Sequence, residues 1–251
     1  MDTLLALVQG GVTVAGGTTM DKVNAIVLQL LRWGHFFFGI AWIGHLYYFN
    51  FVQAHAEKAL DGAMKKIVVP NFRGRAIWWF RWGAMLTFLT GVTYLLYEQF
   101  VATNQHFMGE PNWFSAPANQ WILFGMLLGT IMWFNVWFVI WPRQKVIIAG
   151  VATGNKPADF DALVAVAGKF SRINTYLSVP MLFGMGARKH FAEIGFNSMW
   201  TGITMLIVFV VGFGIAYHVV NGAAAKAGTE FAAMLPPPAP AAPPPAAPAA
   251  K

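Results

Sequence analysis

The chain has 251 residues, of which 57% are hydrophobic and 11% charged, with a formal net charge of +7 and no cysteine. A water-facing domain carries about 25% charged residues, so this chain, with a mean hydropathy of +0.53, is composed for lipid. Zero thiols exclude a disulfide scaffold, Cys-ligated zinc, an iron–sulfur cluster and a covalently attached c-type haem.

Residues 1–22 open on Leu4–Gly17, apolar but shorter than the ~20 residues of a spanning helix and without a basic leader. They read as an interfacial or re-entrant segment. Residues 23–221 contain five apolar runs and predict an all-α, polytopic transmembrane bundle of about five spans. The runs are Trp33–Val52, Ile77–Tyr97, Trp121–Trp141, Ile173–Met185 and Met199–Val220. Trp and Tyr gather at several ends, as an aromatic belt requires. The fourth run is short unless its helix starts among Leu163–Phe170. Its polar residues Asn174, Thr175, Tyr176 and Ser178, followed by Pro180, predict a broken helix lining a cavity, where irregular backbone is tolerated at membrane depth. Residues 222–251 turn into a Pro/Ala tract, predicted to be extended or disordered and to act as a tether or docking strip.

Loop charge sets the expected orientation. Lys58, Lys65, Lys66, Arg73 and Arg75 separate runs one and two, and Arg143, Lys145, Lys156, Lys169 and Arg172 separate runs three and four. Between runs two and three the charged residues are Glu98 and Glu110. The positive-inside rule then places the N-terminus outside and the C-terminus in the cytoplasm, in a bacterial inner membrane. The basic excess is therefore a membrane signal, with no nucleic-acid partner. Arg188 and Lys189 fall on the outer side, against the rule.

Ionisable and polar residues inside spans are the candidate site. His35 and His45, ten residues apart, differ by about 15 Å in height on an α-helix and cannot share one small metal ion. His35 and Trp42, seven apart, share a face. His35 reads either as a neutral-imidazole ligand to a haem b iron or as helix–helix glue at roughly 0.6 kcal/mol per contact. Arg81 either snorkels to the headgroups or anchors a haem propionate or anionic substrate. Asn135, alone among apolar residues, needs a partner inside the bundle. The expected cavity has His35 and His190 at its outer end and Asn174, Tyr176 and Trp42 deeper in, with His218 at the opposite depth. The spans contain no nucleophile–base pair, phosphate-cradling Gly loop or carboxylate dyad.

Several strings resemble the N-terminal domain of the membrane-integral urate oxidase (urate hydroxylase) family. Leu31-Arg32-Trp33-x-His35-x-x-x-Gly39-Ile40-Ala41-Trp42-Ile43-Gly44 is similar to its first helix. Gly129-Thr130-Ile131-Met132-x-x-Asn135-Val136-x-Phe138-Val139-Ile140-x-Pro142-x-Gln144-Lys145 is similar to a later helix and basic loop. Asn174-x-Tyr176-Leu177-x-x-Pro180-x-Leu182-Phe183-x-Met185 with His190, and His218-x-x-Asn221, resemble its last two helices. The resemblance implies a helical membrane domain of oxidoreductase type, with His35, His190, His218 and Arg81 toward a cofactor. Gly83 stands where the family pattern has an acid, and no cysteine is present for a fused cytochrome c. A reduced homologue serving as a subunit of a larger membrane complex, with other subunits or its own copies, is the implied role. The alternatives are urate oxidation with electrons passed to a separate c-type cytochrome, and a haem b electron carrier.

Overall fold

The computed structural model describes residues 18–102, 113–191 and 198–229. The expected Leu4–Gly17 segment and the Pro/Ala tract lie outside the described residues. What is described is helical throughout, with no strand among the described residues. Five helices form the bundle: α1 (Thr19–Ala59), α2 (62–102), α3 (Pro117–Thr153), α4 (Phe160–His190) and α5 (Met199–Lys226). By length and composition α1, α3 and α5 are long and apolar enough to cross a membrane.

Local chemistry sets the ends. Thr18 accepts from the Asp21 N–H while the Asp21 carboxylate accepts from the Thr18 N–H at 2.8 Å, a capping box that starts α1. Asp61 accepts from the Met64 N–H at 2.7 Å and starts α2. Pro117 opens α3, where its missing N–H costs nothing, and Gly154 closes it at φ +83°, a left-handed cap that disfavours a side chain. Four helices widen into π turns. The Trp141 N–H, for example, reaches back five residues to the Val136 carbonyl, just before Pro142 withdraws its own donor.

The bundle is two tight helix pairs. α1 packs along α2, and α3 packs along α4, while α1 meets α4 and α2 meets α3 far more sparsely; α5 lies against α4. Glycines permit the close approaches. A Cβ on Gly83 would sit 3.0 Å from the Trp42 backbone nitrogen, and one on Gly125 would sit 2.9 Å from the Met185 backbone nitrogen. Small residues at crossings are how membrane helices gain packing, because lipid supplies no hydrophobic drive between them. Trp42, Leu46, Phe80, Met132, Val136, Ile140, Leu177 and Met181 belong to the buried core between the pairs.

The fourth helix is corrected. It is one continuous helix of 31 residues with Pro180 inside it, not a broken one. Gly212 of α5 leaves room for the ring, which lies 3.2 Å from where a Gly212 Cβ would be, and the Thr175 and Ser178 hydroxyls just before it donate back to the Ser171 and Thr175 carbonyls. The start at Phe160 also removes the shortness of run four.

The two basic turns meet at one end of the bundle. Residues 62–73 pack on 141–153, Lys66 approaches Gly154, and the end of α5 reaches Tyr48–Gln53 there as well. At the opposite end stand Arg32, Tyr94, Glu98 and Arg188.

Candidate functional site: a cavity between the helix pairs

Where the pairs part, a cavity of about 600 Å³ opens between α1, α2, α3 and α4. Its walls are mostly apolar, among them Phe36, Ile40, Phe88, Met126, Met181 and Met185. Polar groups cluster at the end away from the basic turns. Arg32 of α1 donates to the Tyr94 hydroxyl, Tyr94 donates to Glu98 at 3.2 Å, and Glu98 pairs with Arg188 of α4 at 2.8 Å. This chain ties the two helix pairs across the cavity mouth. Arg32, Tyr94 and Arg188 all line it.

His35 sits one turn below Arg32, half-buried. Its Nδ1 lies 2.9 Å from the Thr87 carbonyl, which can only accept, so Nδ1 carries the proton and Nε2 of the neutral ring is an acceptor. The ring rests in the gap that Gly91 leaves: a Cβ there would be 2.9 Å from His35 Cε1. Trp42, two turns on, also lines the cavity. It is 3% exposed, and its buried indole N–H, like those of Trp133 and Trp137, has no partner among the described residues.

The other expected site residues lie elsewhere. Asn135 donates to the Asn174 carbonyl oxygen at 2.8 Å, and Asn174 donates to the Met132 carbonyl at 3.0 Å. Both are buried between α3 and α4, and neither lines the cavity. Asn174, expected in the cavity wall, is instead bonded to α3, and Asn135 finds in it the partner it needs. Tyr176 turns toward α5, accepting from Asn221 at 3.1 Å and packing on Phe213 and Tyr217. Arg81 is held among three indoles, its guanidinium carbon 3.9 Å from the centre of the Trp141 ring and within cation–π range of Trp82 and Trp137. It is remote from His35. His190 is exposed at the end of α4 and does not line the cavity; His218 is exposed near the basic end. His45 bonds the Ala41 carbonyl of its own helix. Among the described residues no three His, Cys, Asp or Glu side chains gather to hold a metal ion.

Sequence reasoning missed Tyr94, Glu98 and Arg188 as a unit. Two signals were present: Tyr94 and Glu98 at helical i,i+4 spacing, and Arg188 on the wrong side by the positive-inside rule. The ion pair to Glu98 explains that violation.

A second, smaller cavity of about 440 Å³ lies at the basic end. Glu57 there accepts from Arg73 and Gln53, and the Gln144 side-chain oxygen is buried without a partner among the described residues. Burial pushes the Arg73 guanidinium below its ordinary value, and Glu57 pairs with it.

The family model described as urate oxidase N-terminal matches residues 100–236. No curated protein and no solved structure matches the chain. The matched segment contains α3, α4 and α5, including the Asn135–Asn174 bridge and Arg188, and leaves α1 with His35 and Trp42 outside it. Covering more than half of the sequence, the match places this chain in the urate oxidase N-terminal family.

Proposed function

We propose that the chain is a membrane-embedded subunit of a larger redox complex, and that the cavity between the helix pairs is where it receives the reacting or electron-carrying group. The observation that carries this reading is the pairing of apolar walls with a polar cap, Arg32–Tyr94–Glu98–Arg188, above a histidine with a free acceptor nitrogen. The complex sits in a bacterial inner membrane with the end of α5 in the cytoplasm, supported by the two basic turns gathered at that end. Extraction of native membranes in mild detergent tests it. Stoichiometric partner subunits, a c-type cytochrome among them, are the expected result. A colourless, monodisperse monomer would contradict it.

A second reading is urate oxidation by this chain, with electrons passed to a separate c-type cytochrome. Two arginines against one carboxylate at the mouth favour it, because that excess of positive charge suits a flat anion. Haem b is a third occupant to test. His35 offers one imidazole nitrogen, and Arg32 and Arg188 offer cations for propionates. A Soret band that vanishes in His35→Ala would support it.

A further inference from the structure

Arg81 is a cation inside the apolar run Ile77–Tyr97 with no anion beside it. Its guanidinium makes no hydrogen bond or ion pair among the described residues and rests on indoles alone, closest to Trp141. Lys145, one turn further along α3, lies over that same ring, its Nζ 5.6 Å from the ring centre. Its ammonium likewise meets no carboxylate among the described residues. A cation without a counter-charge is expensive at membrane depth, and the indole faces offset only part of that cost. Two cations gathered on one indole therefore call for an anion from outside the chain.

The surroundings select which anion. Trp141 immediately precedes Pro142 and Arg143, where the apolar run of α3 gives way to the basic turn, so its ring stands at headgroup depth. Away from the basic turns α2 and α3 touch sparsely, and aromatic rings fill the seam between them. Trp82 meets Trp137 with ring centres 5.6 Å apart, and Phe88 stacks on Trp133 at 4.3 Å. Trp82 and Phe138, which packs on Trp133, are 37% and 56% exposed. A phosphate held at Arg81 and Lys145 can thus lay an acyl chain along this seam. A zwitterionic headgroup brings its own cation, so two side-chain cations without a carboxylate favour a lipid whose phosphate has none.

We propose that an anionic phospholipid binds on the α2–α3 seam, its phosphate paired with Arg81 and Lys145 and one acyl chain lying along the aromatic rings. Neither the cavity between the helix pairs nor its occupant enters into this site. The test is reconstitution of the purified full chain, with whatever subunits accompany it, into phosphatidylcholine vesicles with a small fixed fraction of brominated acyl chains. The bromine is carried either on phosphatidylglycerol or on phosphatidylcholine. Bromine quenches nearby tryptophan, so lipid that merely surrounds the protein quenches alike from both. At least two-fold more quenching from phosphatidylglycerol is expected. Arg81→Gln should remove that excess and Lys145→Gln should at least halve it. Arg75→Gln, which takes the same charge from an exposed position at that end, should leave it intact. Equal quenching by the two lipids would overturn the proposal and point to a partner's carboxylate or to water at Arg81. So would an excess that survives Arg81→Gln, or one that Arg75→Gln lowers as much. An excess erased by inorganic phosphate, but not by sodium chloride of equal ionic strength, would also overturn it and make this a site for free phosphate. If Arg81→Gln does not fold, Lys145→Gln, at an exposed position, and the two lipids on the unaltered chain decide.

Discussion

Replacing Asn174 by alanine removes more than its own amide. Asn174 is fully buried and accepts from Asn135 and donates to the Met132 carbonyl, so two bonds between α3 and α4 disappear together. Side-chain hydrogen bonds within membranes average ~0.6 kcal/mol and reach ~1.7. Asn174→Ala should therefore cost about 1–3 kcal/mol, and Asn135→Ala, which removes one bond, about half as much. The double variant should cost no more than Asn174→Ala plus lost packing, giving a coupling energy of about 0.6 kcal/mol or more. Unfolding in mixed micelles of rising SDS content, followed by tryptophan fluorescence, measures all four corners of the cycle. Equal losses for the two single variants, or strict additivity in the double, would refute the bridge.

The other predictions concern seams, charge and topology. Gly125→Ala puts a methyl 2.9 Å from the Met185 backbone, which cannot rotate away, and should cost about 1–3 kcal/mol in the same assay. Gly186→Ala, with nothing within 4 Å, should be neutral or slightly stabilising. Arg188→Met removes the ion pair to Glu98 and should cost about 1 kcal/mol after allowance for solvent; adding Glu98→Gln should recover part of it. Because the chain has no cysteine, single-cysteine variants report topology cleanly. Phe114→Cys should react with an impermeant maleimide added outside spheroplasts, and Met64→Cys only after lysis; the reverse pattern would invert the orientation.

The helices were legible because each span is a long apolar run with basic turns at alternate ends, and both signals are local. The continuity of α4 was not, because Pro180 is tolerated through Gly212, a residue 32 positions away in sequence on another helix. Asn135 was read as needing a partner, and the fold supplies it. Which partner depended on how α3 and α4 face one another, information that a period of 3.6 residues does not hold. His35 and Trp42 could be placed on one face from their spacing alone. That Tyr94 and Arg188 line the same cavity could not be read so, since they come from two other helices. Polar residues in run four looked like a site, but Asn174, Tyr176 and Ser178 join helices and Thr175 bonds its own; the proposed site lies where the two pairs fail to touch.

The most direct test of the cavity as the functional site is electron flux to cytochrome c in native membranes carrying His35→Ala, with urate and decylubiquinol as donors. The amount and subunit composition of the complex should match the unaltered membranes, because His35 contributes one bond to the α1–α2 seam, while flux should fall at least ten-fold with the donor that the complex uses. Full flux from a normally assembled complex would contradict the assignment and leave His35 as a packing residue.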